Sequence, residues 1–139
     1  MPNPAKSFTD LVVWQKAHEF VLRLYRFTAR FPQAEIFALT AQMRRAAVSV
    51  PANISEGFGK RTTAEKLRFL NIAEGSIEES KYYLILSRDL YYGEVEELQE
   101  ALQTVARLLS AYRGAIAKAV YRKPKTKRRR QMTGRRRTR

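Results

Sequence analysis

Apolar residues recur along this chain at intervals of three and four, in four long segments, and nowhere sustain the alternation of a half-buried strand. Glycine and proline cluster near the ends of those segments. The pattern predicts an all-α protein. Helix one is expected from about Thr9 to Arg30, capped by Thr9 or Asp10 and closed before Pro32, because a residue preceding proline avoids helical geometry. Helix two is expected from near Glu35 to Gly57, with Pro51 bending or splitting it and Gly57 and Gly59 ending it. Thr62-Thr63-Ala64-Glu65 has capping-box spacing and should open helix three, which runs to Tyr92 with Gly93 as its stop. Glu94, Glu96 and Glu97 then place negative charge at the positive end of helix four, expected to reach about Tyr121.

Each segment exceeds twenty residues, roughly 30 to 45 Å of helix, and the connections are short, so neighbours should be antiparallel. An up-down-up-down four-helix bundle would bury seams such as Leu98, Leu102, Val105, Leu109, Tyr112 and Ile116 of helix four. Helix one is apolar more widely around its circumference. Val13, Ala17, Phe20, Leu24, Phe27 and Phe31 form one stripe, and Leu11, Trp14, Val21 and Tyr25 extend it. A homo-oligomer would use that surplus, and a broad core face would equally account for it.

Charge divides the chain. Of its 139 residues 27 are Lys or Arg and 13 Asp or Glu, a net charge of +14. Residues 122–139 hold no acid and eleven of the bases: Arg122, Lys123, Lys125, Lys127, Arg128, Arg129, Arg130, Arg135, Arg136, Arg137 and Arg139. A bundle domain over residues 1–121 therefore carries a disordered basic tail over 122–139. The tail repels itself, is poor in apolar side chains and is expected to gain order only on contact with a polyanion. The length suits one domain with a sizeable core. Absence of cysteine excludes disulfides and thiolate chemistry and fits a reducing compartment. With no apolar run long enough to span a bilayer and no signal-like start, the expected location is the cytoplasm and no membrane association is expected.

In the segment from Gln42 to Gly57, Arg45, Ser49, Asn53 and Glu56 fall on one helix face. They are read as a structural polar network with Ser76 and Glu79 of helix three, in which Arg45 balances Glu56 or Glu79 and Gly75 and Ser76 permit close approach. The same segment, with Phe8-Thr9-Asp10-Leu11-Val12-Val13-Trp14-Gln15-Lys16-Ala17 before it and Ile72-Ala73-Glu74-Gly75-Ser76-Ile77-Glu78-Glu79 after it, closely resembles the four-helix bundle protein family. That family includes proteins encoded in intervening sequences of bacterial large-subunit ribosomal RNA genes. It is related in fold to the accessory variability determinants of diversity-generating retroelements. The resemblance covers roughly Phe8 to Ala117. It implies an antiparallel bundle, a barrel-like homopentamer, nucleic-acid binding by a basic surface and, in the retroelements, a reverse transcriptase as partner. Ser55 replaces the usual alanine of the Asn-Ile-Ala-Glu-Gly pattern, and the basic tail is an addition to it.

Two further basic groups are candidates for nucleic-acid contact. Lys16, Arg23, Arg26 and Arg30 follow helical spacing on helix one, interrupted by Glu19, and a solvated face explains them as well. Lys60, Arg61, Lys66 and Arg68 gather at the turn between helices two and three, where amides at a helix start would help hold a phosphate. Gly57-Phe58-Gly59-Lys60-Arg61-Thr62 lacks the glycine spacing and preceding strand of a phosphate-binding loop. His18 is the only histidine and no Glu-x-x-His pair exists, so neither a serine triad nor a di-iron site is expected. Tyr82-Tyr83 and Tyr91-Tyr92 would stack on bases or serve as core or interface. The sequence thus predicts a non-enzymatic scaffold without metal or cofactor that binds RNA or an RNA/DNA intermediate for a partner reverse transcriptase. The competing reading is an oligomeric protein-interaction or ribosome-associated factor. Docking of the polybasic end to anionic membrane ranks third, since no apolar anchor or lipidation signal accompanies it.

Overall fold

The computed structural model describes residues 4–137, with side chains through residue 119. Four α-helices, α1 (Val12–Thr28), α2 (Leu39–Gly59), α3 (Thr63–Asp89) and α4 (Glu96–Arg137), follow one another with two short 3-10 turns and no strand among the described residues. α1 neighbours α2, α2 neighbours α3, and α4 closes the ring by packing on α3 and α1. The short connections make successive helices antiparallel. The α2–α3 turn and the start of α1 therefore share one pole of the bundle. The Phe31–Ala38 and Leu90–Val95 connections share the other.

The helix boundaries depart from expectation where local hydrogen bonds compete. α1 begins at Val12 rather than Thr9. Residues Phe8–Asp10 form a 3-10 turn in which Ser7 Oγ accepts from Thr9 N (3.3 Å), Asp10 Oδ2 accepts from Ser7 N (3.2 Å), and Leu11 is extended. α2 begins at Leu39 rather than Glu35, because Gln33–Glu35 after Pro32 is a separate 3-10 turn and Ala38 interrupts helical geometry at φ −118°, ψ −105°. Pro51 does not split α2, which continues through it to Gly59. α3 stops at Asp89, short of Tyr92, in a Schellman turn: Tyr91 N donates to Arg88 O (3.0 Å) and Tyr92 N to Ser87 O (2.9 Å). The left-handed residue there is Tyr91, at φ 62°. α4 passes the expected end at Tyr121 and its backbone runs to Arg137.

Small side chains draw α2 and α3 into the closest seam. Ala46, Ala47, Val50 and Gly57 of α2 are buried, as are Ala73, Ser76, Ser80 and Ser87 of α3. A Cβ on Gly57 would stand 3.3 Å from Lys66 O and from Phe69 Cβ. Gly75, expected to allow this approach, is instead exposed with nothing within 4 Å of such a Cβ, so Ser76 alone lies in the seam. Phe20, Leu24, Met43, Ile54, Leu70, Leu84, Leu102 and Leu109 are the large, almost wholly enclosed side chains of the core. Each contributes about 1.5–3 kcal/mol by burial.

The wide apolar circumference of α1 is mostly absorbed inside. Val13, Ala17, Phe20, Val21 and Leu24 are buried, and Leu11, Trp14 and Phe27 pack against the core edge, while Leu22 and Tyr25 stay exposed. Arg44 covers Tyr25 with its guanidinium 4.3 Å from the ring centroid and donates to Thr28 Oγ1 (2.9 Å) and Tyr25 O (3.2 Å). At the Gly93 pole, Phe27 meets Phe31 edge-on at 5.1 Å, Phe31 meets Tyr92 at 5.0 Å, and Tyr92 OH donates to Glu35 Oε2 at 2.7 Å. That bond ties the two connections together.

Candidate functional site

Thr62 caps α3 by accepting from Glu65 N at 3.1 Å, and its hydroxyl donates to Glu65 Oε1 at 3.1 Å. Turning the chain this tightly brings the start of α3 beneath the last carbonyls of α2. Lys66 Nζ donates there to Phe58 O (2.8 Å) and Gly57 O (3.4 Å), so its charge is committed to the carbonyl end of a helix. Lys60 and Arg68 both lie over the Phe69 ring, at 5.1 and 5.4 Å from its centroid, and Arg61 is exposed beside them. Of the four bases expected at this turn, three remain presented to solvent and one has become a cap.

The basic strip on α1 meets acids instead. Lys16 Nζ stands 3.5 Å from Glu19 Oε2, and Arg23 reaches Glu97 Oε2 at 3.6 Å. Arg23, Arg26 and Arg30 line one wall of an open cleft whose other wall carries Glu94, Glu96 and Glu97 at the start of α4. The glutamates that favour the positive end of α4 thus also stand near the arginines of α1, with Glu97 pairing Arg23. Spacing along one helix could not reveal this, because the compensating charges come from a different segment.

The polar row of α2 is joined to α3 through its middle. Asn53 Nδ2 donates to Ser49 O (2.8 Å) and Ser49 Oγ (2.9 Å), and Ser76 Oγ donates to Ser49 Oγ (2.7 Å). Arg45, Glu56 and Glu79 are exposed. No ion pair within 4.0 Å joins Arg45 to Glu56 or Glu79 among the described residues. Glu79 Oε2 accepts from Tyr83 OH at 2.9 Å, and this hydrogen bond, with desolvation, holds the Tyr83 phenol above its usual pKa while Arg45 pulls it down. Ser55, the departure from the family pattern, bonds back to Pro51 O at 2.8 Å.

His18 stacks flat on Trp14 at 5.0 Å. No trio of His, Cys, Asp or Glu poised for a metal occurs among the described residues. The side chains of Arg122, Lys123, Lys125, Lys127 to Arg130, Arg135 to Arg137 and Arg139 lie outside the described residues. Two aromatics at the other pole are exposed: Phe37, which the sequence pattern does not single out, is 95% exposed, and Tyr91, one of the tyrosines expected from sequence as stacking, core or interface residues, is 94% exposed. Among the described residues no helix is long and apolar enough to cross a membrane.

The sequence profile of the 23S rRNA-intervening sequence protein family matches residues 9–112. Among solved structures, the chain is similar to a protein of unknown function from the S23 ribosomal protein family of Bacteroides thetaiotaomicron VPI-5482. The two are 25% identical with a TM-score of 0.67 over 74% of this chain and 96% of that one. No curated protein matches. The helical fold and a profile spanning most of the bundle agree, and the chain belongs to the 23S rRNA-intervening sequence protein family.

Proposed function

We propose that this protein is a non-catalytic scaffold that binds RNA or RNA/DNA through its basic end. The observation carrying the reading is the concentration of eleven bases in residues 122–139, without one acid, behind a bundle whose own charges nearly cancel. Such a run neutralises backbone phosphates and releases their counterions, so affinity falls with salt at a slope of about −0.7 per phosphate for single strands and −0.9 for duplex DNA. Deleting residues 122–139 should flatten the slope for a 20-nucleotide single-stranded RNA; an unchanged affinity and slope would overturn the role of this segment.

The scaffold is further proposed to work as a homopentamer in the cytoplasm, serving a reverse transcriptase of the diversity-generating retroelement kind. This rests on the resemblance of the α2 motif. The mass in solution tests the assembly: five times 16.1 kDa is expected, and a lone chain across the micromolar range would exclude it. A second reading, an oligomeric interaction hub or ribosome-associated factor, is favoured by the exposure of Phe37 and Tyr91, anchors suited to a protein partner.

A further inference from the structure

We infer that nucleic-acid phosphates dock end-on, at the α2–α3 pole of the bundle, on Lys60, Arg61 and Arg68 acting together with the basic continuation of α4. The inference rests on the proposed nucleic-acid binding and adds where and in what orientation it occurs. Antiparallel order brings α4 back from Gly93 to the pole occupied by the α2–α3 turn, so the backbone of residues 122–137 continues from the same end that presents these three cations. Arg113 Nε, 3.2 Å from Glu74 Oε1, marks the descent of α4 along α3 toward that end.

Lys60, Arg61 and Arg68 have no carboxylate within 4.0 Å among the described residues, whereas Lys16, Arg23, Lys81, Arg88 and Arg113 each do. Lys60 and Arg68 are also held in place by the face of Phe69, which attracts both cations and limits their rotamers without discharging them. They are presented as a pair about one ring, with Arg61 alongside. Lys66, which the sequence groups with them, is removed from the set by its bonds to α2. At the far pole Arg23 is paired with Glu97, and Arg26 and Arg30 share a cleft with Glu94 and Glu96, which lowers the positive potential there. A polyanion approaching the bundle is therefore attracted more strongly at the α2–α3 pole than at the opposite one.

The test uses the full chain and a 20-base-pair duplex DNA as a phosphate-backbone probe, titrated between 50 and 300 mM salt. The triple variant Lys60→Gln/Arg61→Gln/Arg68→Gln should give a log–log slope shallower by about 2 to 3, as loss of up to three phosphate contacts requires. Arg23→Gln/Arg26→Gln/Arg30→Gln, at the far pole, should leave the slope within about 0.5 of the parent. Thermal melts establish that both variants fold. If the first variant retains the parental slope while deletion of residues 122–139 lowers it, the end-on pole is wrong and the basic extension alone binds. Equal losses from both triple variants would likewise overturn it, since binding would then be spread over the flank. A full chain that binds no duplex and no single-stranded RNA overturns the nucleic-acid reading itself.

Discussion

Tyr91 occupies the position of a Schellman turn where glycine is preferred, because a Cβ in left-handed geometry crowds the following carbonyl. It is 94% exposed, so its side chain gains almost nothing from burial to offset that strain. Two residues on, Gly93 has φ 157° and a Cβ there would stand 2.7 Å from Phe27 Cε1. The two positions should respond oppositely to exchange of side chain for hydrogen. Tyr91→Gly is expected to raise unfolding stability by up to about 1 kcal/mol. Gly93→Ala should lower it by about 1–3 kcal/mol, through strain and displacement of the Phe27–Phe31–Tyr92 cluster. Chemical denaturation distinguishes the pair; a destabilised Tyr91→Gly would mean that Tyr91 makes contacts its exposure denies.

At the scale of elements, two phenol–carboxylate bonds fasten the bundle. Tyr92 to Glu35 joins the two connections of one pole, and Tyr83 to Glu79 spans one turn of α3. In each case the hydrogen bond to the carboxylate is the main cause raising the phenol above the ordinary tyrosine pKa of about 10, with desolvation second. Burial raises Tyr112 as well. A folded-state pKa above the unfolded one gives stability fully present below pH 10 and lost as pH climbs through the folded value. Melting temperature should therefore decline above about pH 10. Tyr83→Phe/Tyr92→Phe should decline less steeply, leaving the part due to Tyr112 and other groups. An identical alkaline decline in parent and double variant would show that these bonds do not govern it.

Which elements were legible in sequence follows from the range of the interactions that set them. The four helices, the Thr62 cap and the α4 seam through Leu102, Val105 and Leu109 are written in spacings of three and four residues. The start of α1 was misplaced because Ser7 and Asp10 form a competing local turn, and the end of α3 because Tyr91, a residue that disfavours left-handed geometry, adopts it. The candidate interface was legible in composition but not in membership. Removal of Lys66 into a cap and neutralisation of Arg23 by Glu97 are contacts between segments, invisible along one helix.

At the scale of the molecule, the tail deletion and the mass in solution address affinity and assembly separately, since neither depends on the other's outcome. Antiparallel order has one more effect, on kinetics. With Lys60, Arg61 and Arg68 at the α2–α3 pole and Glu94, Glu96 and Glu97 beside the arginines of α1 at the other, the proposed interface gives the molecule a charge asymmetry along its long axis. In the field of a polyanion such a particle turns before it touches, so most first collisions would occur in the productive orientation. The orientational search that ordinarily slows association would be shortened at low ionic strength and restored as the Debye length shrinks to about 8 Å at physiological salt. The order in which four helices are connected thus sets how the protein arrives, as well as where it holds on.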